Sequence, residues 1–322
     1  MSFRTETTLV GYARAVVEMK TRIHEYCTST AGGEYTQAFV ETLLASRPED
    51  HSDEAHPHQK LTVVINRASS AVWAQGEAYV LAPAMTAVVA AAAEVLDLTG
   101  DLLTADAAPT DGGVLFLPEP IYDRNLAGQV SAIAAITWAT IASPRGWSWL
   151  ICGWANRDDP EDPHATRIQG YARQDPILLS RLGPYVMTDM NLLPIAAPVP
   201  AVAHPDINEP DRDWETAPDG RYVIADATAR IRVCAAIAYG FWRIQAQPIS
   251  VAAPAFVDRP TRRRAARASI VHHTRVRFVV RRHWRRLIDK HGQAQRNWVP
   301  VHLGGPEDAP LLHGEKVAVP TR

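Results

Sequence analysis

A chain of 322 residues with 47% hydrophobic and 21% charged residues can build a sizeable core, as one large domain or two ordinary ones. The composition excludes the disordered and fibrous classes. The net charge of −2 hides a strong asymmetry along the chain, taken up below.

The first predicted element is a helix over residues 8–30. Thr8 is placed to cap it, and Leu9, Ala13, Val16, Met19 and Ile23 recur at helical spacing. Gly32-Gly33 is expected to end it. A second helix carries Tyr35, Phe39 and Leu43 on one face, with Pro48 beyond its end. Residues 49–58 are polar and acidic and read as an exposed loop. The β-branched run Leu61–Ile65 predicts a strand, paired with Ala71-Val72-Trp73. Met85 to Asp97 is helical by alanine content. The stretches 113–117, 129–141 and 147–154 predict further strands, with Asp123-Arg124-Asn125 as a turn. Trp138, Trp147, Trp149 and Trp154 fall in these stretches and are expected in the core.

Residues 158–163 form an acidic, proline-broken loop. Asp175-Pro176 predicts a helix start and Gly183 its stop. Residues 194–220, rich in proline and acids, read as a long surface excursion. A strong helix is expected over about 225–247, with Ile231, Cys234, Ala238, Phe241 and Gln245 along one stripe. Strands are then expected at 272–280, 297–302 and 315–319, making a small β-sheet. Together these elements predict an α+β fold, with helices on one side of a mostly antiparallel sheet. The expected domains are a mixed body over 1–220, a long helix with basic linker over 221–268, and a small Arg/His/Trp-rich β module over 269–322.

No apolar run is long enough to span a bilayer, and the N-terminal residues lack the pattern of a signal peptide. The three cysteines, Cys27, Cys152 and Cys234, have no pair spacing that suggests a disulfide framework or zinc ribbon. A cytoplasmic protein is the expectation. Walker A, Gly-x-Gly-x-x-Gly and Gly-x-Ser-x-Gly motifs are all absent, and no cofactor is expected.

Charge singles out the C-terminal part. Between Arg259 and Arg296 lie thirteen Arg and Lys against one acid, Asp289, so this segment carries +12 and the remaining residues −14. Such asymmetry predicts an acidic partner, or a basic segment docked on the protein's own acidic body.

One resemblance runs through the same region. His283-Trp284-Arg285, Trp298-x-x-x-His302-x-x-Gly305-Pro306, Pro310-Leu311 and Lys316-Val317 follow a long helix ending near Gln247-Pro248. Further back stand Leu102-Leu103-Thr104, then 113–120 and a strand ending in Trp138. From about residue 100 onward the chain resembles a family of uncharacterised proteins from actinobacterial plasmids, phages and chromosomes. It departs from the pattern at Arg286-Leu287, where the family more often has a polar residue and glutamine. The resemblance implies a mobile-element setting and brings no activity.

Nucleic-acid binding is therefore the leading expectation. Arginines reach phosphates with forked donors, and an intervening tryptophan can stack on an unpaired base. The candidate contacts are Arg275, Arg277, Arg281, Arg282, Trp284, Arg285, Arg286 and Trp298. A second reading is a metal-independent RNA-cleaving toxin or nuclease. His273, His283 and His302 would move protons and Arg285 would hold the phosphate. A third is a protein-interaction factor with a basic tail. No membrane partner is expected. No metal site is expected either, since the histidines between His272 and His313 lack metal-ligand spacing.

Overall fold

The computed structural model describes residues 9–45, 57–124, 128–143, 146–175, 177, 181–201, 215–218, 221–224, 232–246, 278–280, 283–288, 294–299, 302–304 and 317–318. Two compact units emerge: residues 1–256 with 317–322, and residues 257–316. The fold is α+β.

The first unit opens with three helices: α1 (Leu9–Thr28), α2 (Thr30–Ala45) and α3 (Pro57–Gln75). Gly32 and Gly33 lie inside α2; the break between the first two helices falls at Ser29. The strand expected over Leu61–Ile65 and Ala71–Trp73 is instead the body of α3. Its buried positions, Leu61, Thr62, Ile65, Ser69, Val72 and Trp73, follow a helical repeat of three to four residues, while Val63 is exposed. A helical period overrides the β-branched composition of the run.

Strand β1 (Glu77–Val80), helix α4 (Pro83–Val95) and strand β2 (Gly112–Arg124) form a parallel crossover unit. Strands β3 (Val130–Ser143) and β4 (Gly146–Asn156) follow as antiparallel neighbours. Asp123 and Arg124, expected in a turn, are the last residues of β2. Helix α5 (Pro163–Gln174), strand β5 (Tyr185–Pro194), strand β6 (Val223–Ile224) and helix α6 (Val233–Ala246) complete the run. Within β2 the pairing with β3 shifts between Phe116 and Ile121. The intervening Pro118-Glu119-Pro120 explains this, because proline has no amide hydrogen for a ladder.

The second unit contains strands β7 (Phe278–Val280), β8 (His283–Ile288), β9 (Ala294–Val299) and β10 (His302–Gly304). The last strand, β11 (Val317–Ala318), was expected to close the small terminal sheet. It pairs instead in parallel with β1, at the edge of the large sheet. That seven-stranded sheet runs β11-β1-β2-β3-β4-β5, with β6 also on β2.

Helices cover both faces of this sheet, where one covered face was expected. On one face α1, α2 and α3 pack over Phe116, Cys152, Trp154, Tyr185 and Met187. Trp73 of α3 meets Trp154 edge-on at 5.3 Å. On the other face α4 and α6 pack over Leu115, Ile136, Trp138, Trp149 and Ile151. There Trp242 of α6 lies 5.0 Å from Trp149 and 5.8 Å from Trp138. Trp147, expected in the core, is exposed. Burial on both faces explains why β3 and β4 are almost unbroken apolar runs, with little polar alternation.

Candidate nucleic-acid interface

Of the residues expected to carry the chemistry, the described ones fall in two antiparallel ladders of the second unit. In the first, β8 pairs with β9, placing His283 opposite Val299, Trp284 opposite Trp298, Arg285 opposite Asn297 and Arg286 opposite Arg296. In the second, β7 pairs with β10, placing Val280 opposite His302. Residues directly opposite share a sheet face, and alternate residues along a strand share it too. Trp284, Arg286, Arg296 and Trp298 therefore belong to one face of the β8–β9 ladder. His283, Arg285, Asn297 and Val299 belong to the other.

Of the four nuclease candidates, His283 and Arg285 share a face. His302 belongs to the other ladder, and His273 lies outside the described residues. Arg275, Arg277, Arg281 and Arg282, the other expected phosphate contacts, also lie outside them. The run His283–Arg286 lies between the strands expected at 272–280 and 297–302. It is itself a strand.

In the first unit the acidic loop before α5 forms a polar centre. Asp162 caps α5 and is wholly buried. Its Oδ1 accepts from the amides of His164 and Ala132, both at 3.0 Å, while among the described residues no group donates a hydrogen bond to Oδ2. Burial is the main reason its carboxyl is pushed up to about 7, with the Asp159 charge adding to the rise. The two amide bonds and the Arg167 charge act in the opposite direction. Burial and the same Arg167 charge lower His164, against the pull of Glu215. Arg167 pairs with Glu215, whose Oε2 also accepts from the Val130 amide at 2.7 Å. From the sequence, Asp162 reads as part of an acidic, proline-broken loop. The signal that this reading passes over is Asp162-Pro163, an N-cap followed by proline in the first turn.

The other acids of this loop are engaged close by. Asp158 pairs with Arg157 at 3.1 Å and Glu161 with Arg221 at 2.6 Å. Asp159 Oδ1 accepts from the Glu161 amide at 3.0 Å.

Among the described residues no group of three or more His, Cys, Asp or Glu is placed to hold a metal ion. No described helix is long and apolar enough to cross a membrane. All three cysteines are buried and free, and burial pushes the Cys27 thiol up to about 12. Comparison with family models, with curated proteins and with solved structures returned no match.

Proposed function

We propose that the chain is a nucleic-acid-binding protein that contacts phosphates through its basic C-terminal module. In this reading it acts in the cytoplasm as a regulatory or maintenance factor of a mobile element, as the motif resemblance implies. The observation that carries the reading is the concentration of charge: +12 between Arg259 and Arg296, against −14 on all other residues. A polyanion is the partner such a segment attracts most strongly, because each neutralised phosphate releases condensed counterions.

The competing explanation is that the segment docks on acids of its own chain. The acidic loop over 158–162 supports it poorly, because Asp158 and Glu161 already pair with Arg157 and Arg221 and Asp162 is buried. The Arg286–Arg296 cross-strand pair adds support for an anionic partner, since like charges directly opposite on a ladder repel.

The test is binding of labelled DNA and RNA oligonucleotides by the intact chain and by a variant with Arg281, Arg282, Arg285 and Arg286 all changed to alanine. The reading expects the variant to lose at least ten-fold in affinity while keeping the wild-type circular dichroism. Equal affinity in a folded variant overturns it.

A further inference from the structure

Resting on the nucleic-acid reading, we propose that the β8–β9 ladder recognises unpaired nucleotides in preference to duplex, through the face that holds Trp284, Arg286, Arg296 and Trp298. Two pairings on the ladder carry this. Trp284 stands opposite Trp298, and two residues along on the same face Arg286 stands opposite Arg296. Directly opposite residues on an antiparallel pair have Cβ atoms about 5 Å apart, and same-face positions along a strand are about 7 Å apart. The register positions of an aromatic pair and a cationic pair are thus neighbours on one face, at roughly the separation of a base from its neighbouring phosphate.

The cationic pair argues for a ligand by its cost. Two arginines opposite each other are destabilising unless an anion lies within reach of both, and a phosphate accepts both guanidinium forks. The aromatic pair selects the kind of strand that brings the phosphate. In a duplex the bases stack on each other and their faces are closed to a protein ring. In a single strand each base offers a π-face, and stacking on an aromatic residue is sequence-tolerant. The opposite face of the ladder lacks this combination: Arg285 stands opposite Asn297, and His283 opposite Val299. The two faces are thereby distinguishable by substitution on a single strand.

The shared chemistry is a single-stranded phosphodiester with accessible bases, of DNA or of RNA. The experiment titrates the intact chain with labelled oligothymidylate, oligouridylate and a DNA hairpin duplex of equal phosphate number, at fixed salt. The unchanged protein is expected to bind at least one single strand about ten-fold more tightly than the hairpin. Trp284→Leu and Trp298→Leu are each expected to weaken single-strand binding about ten-fold and thereby to remove most of the preference for single strands over the hairpin. Trp284→Phe, which keeps a ring, is expected to retain most of the affinity and guards against a folding defect in the leucine variant. Equal affinity for hairpin and single strands overturns the inference, as does undiminished single-strand binding by both folded leucine variants. Binding to none of the three probes overturns the parent reading instead. The relative affinity for oligothymidylate and oligouridylate assigns the source of the strand.

Discussion

Replacing Asp162 by asparagine removes one titration from the core of the first unit and leaves an oxygen to accept from the Ala132 and His164 amides. Asp162 is wholly buried, so the charged form loses its hydration when the protein folds. Its carboxyl is pushed up from 3.8 to about 7, chiefly by that burial. The folded-state pKa lies above the unfolded one, so the native state binds a proton between these values that the unfolded chain does not. The contribution of Asp162 is therefore fully present below pH 3.8 and is lost as pH rises through about 7. At ~1.4 kcal/mol per pH unit the whole window is worth roughly 4 kcal/mol, of which roughly 2–3 kcal/mol falls between pH 5 and pH 8. His164 acts in the opposite sense: its folded-state pKa is lowered from 6.5, so its contribution is lost as pH falls. Comparing wild type with Asp162→Asn at each pH largely cancels the histidine. Urea unfolding of both proteins at pH 5 and pH 8 should show the variant gaining roughly 2–3 kcal/mol relative to wild type at the higher pH. A difference between the two proteins that stays constant with pH would refute the reasoning.

Two further predictions concern the seat of α6 and the buried thiols. A Cβ at position 153 would lie 2.2 Å from Cys234 Sγ but 3.6 Å from Cys234 Cβ. Gly153→Ala should destabilise by about 1–3 kcal/mol through overpacking, and adding Cys234→Ala should recover most of that loss. Strictly additive effects in urea melts of the four proteins would show that the contact is absent. The three cysteines are buried, and burial raises all three thiols. None should react with a disulfide reagent at pH 8 in native buffer, and all should react in urea. Rapid labelling of the native protein would contradict this.

The α+β class was legible because strong patterns signalled it. The alanine-rich run at 85–95 is α4, and the apolar runs inside β3 and β4 are central strands. The same apolar runs held a message that was not read: with no charged position and no polar–apolar alternation in β3, both faces of the sheet had to be covered. The error at Leu61–Ile65 has a different origin. Thr62, Val63, Val64 and Ile65 are good strand formers, and only the longer spacing through Val72 and Trp73 marks the run as one face of a helix. Asp162 was legible as a cap but not as a buried acid, because its burial depends on β3, whose Ala132 amide donates to it from a distant point in the sequence. The composition of the candidate interface stood out in the sequence, whereas its register did not. His283–Ile288 has three charged or histidine positions and no regular apolar alternation, so nothing local announced the pairing that puts Trp284 opposite Trp298.

The central claim, that the basic module binds the phosphates of nucleic acid, is tested most directly by the salt dependence of that binding. The measurement is the affinity of the intact chain for a labelled oligonucleotide at several salt concentrations between 50 and 200 mM. With roughly six phosphate contacts the slope of log affinity against log salt should be about −4 to −5, a loss of several hundred-fold or more over that range. Changing Arg281, Arg282, Arg285 and Arg286 to alanine should flatten the slope by about 3 if each engages one phosphate. A slope near zero in the wild-type protein, or one unchanged in the folded variant, would contradict the account.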